Sequence, residues 1–110
     1  MNFDASYSVK TEKKFETYIN NLPKQIKEVF DDKLKYLSQN PNHPSLNTKP
    51  YSGISPKTKK RLNIDDVYEF YINGKKYRCI IYVIHQNKEL ILAFVGNHDQ
   101  IKRFCKRLSE

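Results

Sequence analysis

Tyr77-Arg78-Cys79-Ile80-Ile81-Tyr82-Val83-Ile84 is apolar at every position except Arg78. A strand with one wet face alternates apolar and polar residues, and this one does not. It therefore reads as a central strand covered on both faces. Upstream, Val67 to Ile72 is aromatic and β-branched, and Asn73-Gly74 joins the two runs with a strong hairpin signal. Downstream, Gln86-Asn87-Lys88 turns the chain into a third strand, Leu90 to Val95, which ends at Gly96-Asn97-His98-Asp99. Both connections are too short for a crossover, so the three strands form an antiparallel meander. Ile80, Ile81, Tyr82 and Val83 are expected to be largely buried.

The period changes to a helical one outside the meander. Phe15, Tyr18, Ile19 and Leu22 fall at i, i+3, i+4 and i+7, and Thr11 is placed as the N-cap of that helix with Glu12 behind it. Asn20-Asn21-Leu22-Pro23 breaks it, and Pro23 opens a second helix whose stripe is Ile26, Val29, Phe30, Leu34 and Leu37. So short a link predicts an antiparallel αα-hairpin. Tyr7 to Lys10, ahead of both, reads as an edge strand. Asn40 to Pro56 carries Pro41, Pro44, Pro50 and Pro56 and reads as irregular, anchored by Leu46, Tyr51 and Ile54. The tract Lys57-Thr58-Lys59-Lys60-Arg61 follows, and Gln100 to Leu108 reads as a closing helix. The order is β-α-α-β-β-β-α, an α+β domain in which an antiparallel sheet packs against helices.

The 110 residues amount to one domain spanning 1–110, long enough to build a core without metals or disulfides. Lys and Arg number 20 against 12 Asp and Glu, a formal charge of +8, which favours a polyanionic partner. No apolar run is longer than Cys79 to Ile84, so no membrane span is expected. Met1-Asn2-Phe3-Asp4 shows neither a basic nor an apolar leader region, so a cytoplasmic location is expected. Cys79 and Cys105 make no disulfide framework, and Cys79 reads as a reduced core thiol. The three glycines rule out a glycine-rich phosphate cradle.

Two residues stand out chemically. Arg78 is the one charge in its strand and needs an anion: either a bound phosphate or Glu69 on the neighbouring strand. His98, just past a strand end at the mouth of a helix, has the side chain suited to proton transfer near neutrality, or it is an exposed helix cap. Asp99 either orients His98 or caps the helix. One His-Asp pair without further ligands is not a metal site, and His43 and His85 read as loop residues.

Leu22-Pro23-Lys24, Leu37-x-x-Asn40-Pro41-x-x-Pro44-x-Leu46, Tyr77-Arg78-Cys79-Ile80-Ile81-Tyr82 and Val95-Gly96-Asn97-His98-Asp99 together resemble the RelE/ParE superfamily of toxins from type II toxin–antitoxin modules. The resemblance runs over nearly the whole chain. It implies a RelE/ParE-like toxin fold in a small cytoplasmic protein, neutralised by an antitoxin encoded in an adjacent gene. RelE-like members cleave mRNA, usually on the ribosome and without metal or other cofactor, while ParE-like members bind and inhibit DNA gyrase. Some relatives have lost either activity, so a catalytically weak RNA-binding relative is a third reading.

For the RelE-like reading, the resemblance makes Arg78 the residue at the scissile phosphate and His98 the general acid. Such chemistry needs an activated 2′-hydroxyl, stabilisation of a dianionic phosphorane and a proton for the 5′-oxygen. The sequence departs from the family pattern at Glu69 and Tyr71, where basic residues are common, and at Lys102, where an aromatic residue is common. Tyr71 or Phe104 is the substitute for base stacking. Lys57, Lys59, Lys60 and Arg61, with Lys102 and Arg103 and then Lys106 and Arg107, are either RNA-binding cations or a solvated charge run.

Overall fold

In the computed structural model, which describes Phe3 and residues 6–110, the meander is the middle of a five-stranded sheet. Met1, Asn2, Asp4 and Ala5 lie outside the described residues, and most of the leader reading rests on them. Strands β3 (Asp66–Asn73), β4 (Tyr77–Ile84) and β5 (Glu89–Asn97) pair antiparallel, with β4 in the centre of the order β1-β5-β4-β3-β2. Ile80, Ile81, Tyr82 and Val83 are all buried, as the unbroken apolar pattern requires.

Each face of β4 has its own helices. Cys79, Ile81 and Val83 share a core with Phe30 and Leu37 of α2 (Lys24–Gln39) and with Phe15 of α1 (Phe15–Asn20). Ile80 and Tyr82 face the opposite way, into a core with Ile101 and Phe104 of α4 (His98–Ser109). Between Ile80 and Ile81 the β4–β5 register slips, so that Ile80 opposes Phe94 while Ile81 opposes Leu92. The extra residue, Ala93, is a bulge that shifts the parity of everything after it. Phe94 and Gly96 therefore lie on the α4 side, and Gly96 comes directly opposite Arg78.

The two expected helices are present, with Phe15 of α1 against Phe30 of α2 at 6.0 Å between ring centroids. Thr11, however, does not cap α1. It is the last residue of β1 (Ser8–Thr11), because its backbone is taken up in a parallel ladder with β5, where it pairs with Leu92. The N-cap position is Lys14, without a side-chain hydrogen bond. The edge strand expected at Tyr7 to Lys10 is therefore present, shifted by one residue to Ser8–Thr11, and it makes the sheet mixed.

The region read as irregular holds more structure than its prolines suggest. A single 3₁₀ turn (Pro44–Leu46) is followed by a two-residue edge strand β2 (Lys49–Pro50), antiparallel to β3. The basic tract is not a loop but the helix α3 (Pro56–Leu62). Ser55 caps it by accepting a bond from the Thr58 N–H at 3.1 Å, and Pro56 occupies the first turn where its missing N–H costs nothing. Among the described residues no helix is long and apolar enough to cross a membrane.

Two outcomes follow. Phe30 is fully buried between Phe15 and Phe70, so Phe30→Ala should lower the unfolding free energy by about 3–5 kcal/mol in urea titration. Burial raises the phenol pKa of both Tyr51 and Tyr82 well above the ordinary value, Tyr51 also through its hydrogen bond with Cys105. The folded protein therefore keeps protons that the unfolded chain releases from about pH 10 upward, and stability should fall as the pH rises past that point. The urea midpoint measured from about pH 9 to pH 11.5 checks this, with Tyr82→Phe flattening the decline.

Candidate active site

A carboxylate in mid-sheet is the unusual feature around which the site is built. Glu69 on β3 is 3% exposed and lies on the α4 side, two residues from Tyr71. Tyr71 is directly opposite Arg78, and Lys49 of β2 is directly opposite Glu69. Arg78 donates from Nη1 to both Glu69 oxygens, at 3.4 and 3.5 Å, and from Nε to the Lys75 carbonyl at 3.2 Å. Its guanidinium also lies 5.2 Å from the Tyr71 ring centroid, and the Lys49 ammonium lies 4.6 Å from the same centroid. The anion that Arg78 needs is thus supplied within the chain. The quartet of Glu69, Arg78, Tyr71 and Lys49 carries one positive charge beyond neutrality.

His98 begins α4 immediately beyond this cluster. The pairs Arg78–Gly96 and Tyr77–Asn97 end the β4–β5 ladder, and the helix starts at the next residue. The cap is neither Asp99 nor His98. Asn97 Oδ1 accepts the Gln100 N–H at 2.8 Å, and Gln100 Oε1 accepts the Asn97 N–H at 2.8 Å, closing a capping box. Asp99 could not compete because the capping position must be extended, and Asp99 already lies in the first helical turn. The His98 side chain is exposed and makes no hydrogen bond, ion pair or ring contact with the other described residues. Gly96 is demanded by the same capping box. A Cβ there would lie 2.6 Å from Gln100 Oε1 and 3.0 Å from the Phe94 ring.

The other expected residues are distributed along α3 and α4. Lys57, Lys60 and Arg61 are exposed and Lys59 is half-buried. Arg61 donates to the Glu110 carbonyl at 2.9 Å. Since Glu110 lies twelve residues beyond His98, a rise of about 18 Å along the helix axis, the end of the tract flanks the far end of α4. Lys102 and Arg103 are exposed on opposite flanks of α4, Lys102 toward Thr58 and Cys105, Arg103 toward Tyr18 and Phe94. Tyr71 is half-buried under its two cations. Phe104 does not offer a free face for stacking: it is 8% exposed and packs on Phe94 at 4.6 Å and 18°.

Lys49 is the site residue that the sequence reading missed. The available signal was Lys49-Pro50 itself, since the residue before a proline is driven to an extended backbone. His43 precedes the 3₁₀ turn and accepts the Ser45 N–H at Nδ1, while His85, in the turn after β4, is held between the Tyr7 hydroxyl (2.7 Å) and Asp66 (2.8 Å). No group of three or more His, Cys, Asp or Glu side chains placed to hold a metal ion occurs among the described residues.

No protein-family model matches the sequence, and no curated protein matches it. Solved structures do. YafQ from E. coli strain BL21(DE3) aligns with a TM-score of 0.62 at 12% identity, over 87% of this chain and 98% of that one. A chain of the RelB-RelE antitoxin-toxin complex from Methanococcus jannaschii aligns with a TM-score of 0.61 at 16% identity, covering 86% and 96%. For the archaeal RelE-RelB complex from Pyrococcus horikoshii OT3 the values are 0.58, 20%, 84% and 94%. The chain therefore has the RelE-like toxin fold.

The Glu69–Arg78 pair fixes how an Arg78 variant must be read. Arg78→Ala strands a buried carboxylate and should cost several kcal/mol, nearer the lower end of the roughly 3–5 kcal/mol range because Arg78 keeps 19% side-chain exposure. Glu69→Gln combined with Arg78→Ala should recover a large part of that loss. Denaturant titration of both single variants and the double variant measures the coupling, and strict additivity would show that the pair does not interact.

Proposed function

We propose that the chain is the toxin of a type II toxin–antitoxin module, a metal-independent endoribonuclease that cleaves mRNA on the ribosome. The supporting observation is the junction of β4, β5 and α4: an arginine of the central strand directly across from Gly96, the residue before the Asn97 cap, with a histidine whose side chain has no partner among the described residues as the first residue of the helix. In this reading the 2′-hydroxyl gives up its proton to solvent water as its oxygen attacks the adjacent phosphorus and forms a crowded phosphorane. Arg78 stabilises the added negative charge, assisted by Lys49 from the neighbouring edge strand. His98, as the imidazolium, gives its proton to the departing 5′-oxygen. The phosphorus–5′-oxygen bond breaks, leaving a 2′,3′-cyclic phosphate on one fragment and a 5′-hydroxyl on the other.

The remaining cations bind rather than react. Lys102 and Arg103 on α4, with Lys57, Lys59, Lys60 and Arg61 on α3, meet phosphates of the RNA, and Tyr71 with its two cations lies at the reactive end. The partner is an antitoxin encoded in an adjacent gene, whose binding segment is acidic and so opposes the +8 charge. The neighbours described as antitoxin-toxin complexes support such a partner. The site of action is the cytoplasm.

The test is mRNA cleavage on translating ribosomes, with growth arrest as the cellular readout. His98→Ala should reduce the cleavage rate by about 10²–10⁴-fold with ribosome affinity nearly unchanged, because a general acid serves the transition state and not binding. His98→Gln should be nearly as slow. Circular dichroism confirms that each variant folds. A folded His98→Ala protein that cleaves at the parental rate removes His98 from the chemistry. A parent that cuts no RNA but stalls DNA gyrase transfers the chain to the ParE-like reading.

A further inference from the structure

Between α1, β5 and α4 lies a cavity of about 260 Å³ that neither Arg78 nor His98 lines. Its apolar surface is aromatic: Tyr18 and Phe94 lie 4.5 Å apart at 57°, and Phe94 is backed by the stacked ring of Phe104. Its polar surface is largely unpartnered. Arg103 and Arg107 stand one helical turn apart on α4, both exposed, and neither side chain has an ion pair or hydrogen bond among the described residues. The Asn21 side chain at the end of α1 is likewise without a hydrogen bond among them. The Gln100 carbonyl is consumed by the capping box, which leaves its NH₂ as a donor.

Two guanidinium forks suit a phosphate, the half-buried Tyr18 ring suits a base face, and side-chain amides suit base edges. A neutral or acidic apolar ligand would use only part of this set. Along α4, Gln100 and Arg103 are two and five residues past His98, about 3 and 7.5 Å along the axis but roughly 200° and 140° around it, so the cavity lies on the flank of α4 turned away from His98. We propose that this cavity is a subsite for one nucleotide of the single-stranded RNA, with the base against the half-buried Tyr18 ring and a phosphate held by Arg103 and Arg107. It rests on the nuclease reading for its substrate but predicts binding independently of cleavage.

The experiment uses a five-nucleotide RNA with 2′-O-methyl groups throughout, which binds but cannot be cut, titrated into the full chain. Nuclear magnetic resonance follows the Asn21 and Gln100 side-chain amides, and fluorescence anisotropy gives the affinity. Both amides should shift on addition of the RNA. Arg103→Ala/Arg107→Ala should weaken binding on the order of tenfold and reduce the salt slope by about 0.7 for each phosphate left without its arginine. The charge-matched Lys24→Ala/Lys35→Ala variant on α2 should weaken it far less. Arg103→Lys/Arg107→Lys keeps the charge and guards against misfolding of the alanine variant; it should retain most of the affinity.

Equal losses in the α4 and α2 alanine variants, or RNA binding without shifts at Asn21 and Gln100, overturn the subsite while leaving cleavage at Arg78 and His98 intact. Shifts at both amides in a protein that cuts no mRNA keep the subsite and overturn the nuclease reading. Shifts produced by a polyglutamate peptide but not by the RNA overturn it in favour of a protein ligand.

Discussion

β4 is apolar on both faces, and a strand of that kind is stable only when something covers it twice. Nearly everything else in the molecule answers that demand. α1 and α2 cover Cys79, Ile81 and Val83; α4, with Ile54 and Ile64 beside it, covers Ile80 and Tyr82. The two cores cannot be made with β5 in strict alternation, because Leu92 is needed below the sheet and both Ala93 and Phe94 above it. The bulge at Ala93 resolves the conflict for the cost of one unpaired residue. Its effect is not confined to packing. By resetting the parity of the last turns of β5, it puts the side-chain-free Gly96 across from Arg78 and delivers the start of α4 to the same end of the sheet.

The meander and α2 were legible because their signals are local: an uninterrupted apolar run, Asn73-Gly74, and a stripe at Ile26, Phe30 and Leu37 that repeats with the helical period. What escaped had no such period. α3 turns only Thr58 and the half-buried Leu62 inward, four residues apart, and the surrounding lysines look like any solvated run. β2 is two residues long with a proline at the sheet edge, where a missing N–H faces no partner strand. Thr11 was a good cap by composition, but parallel pairing with β5, some eighty residues away, outweighed a local preference. Asp99 and Asn97 are both capping residues, and the end of a strand, not the residue type, decided between them.

The site was legible in the same uneven way. Arg78 announced itself as the one charge in an apolar strand, and Glu69 was visible as its alternative partner. Neither the depth of Glu69 nor the arrival of Lys49 follows from spacing, since both depend on β2 pairing with β3. Where the pattern that the sequence resembles would carry basic residues, this strand has Glu69 and Tyr71, and the next strand over places Lys49 against them. Charge at a sheet surface is a property of neighbouring strands together.

If Arg78 meets the scissile phosphate as proposed, the carboxylate beside it bears on catalysis in a way a bare arginine would not. An arginine already paired gains little when a phosphodiester arrives, because one monoanion replaces another and Glu69 must be left behind or kept at close range. The balance changes as the phosphorane forms and its charge approaches two. On the proposed nuclease reading the second negative charge would fall to Arg78 and Lys49, so the exchange would become favourable only on the way to the transition state. Binding energy that is withheld from the ground state and released at the barrier accelerates the step without tightening the grip on substrate. In that light the Glu69–Arg78 pair is not a competitor to a phosphate role for Arg78. It holds the guanidinium in place against Tyr71 and the Lys75 carbonyl, and under the proposed mechanism it would make weak ground-state binding the companion of strong stabilisation of the phosphorane.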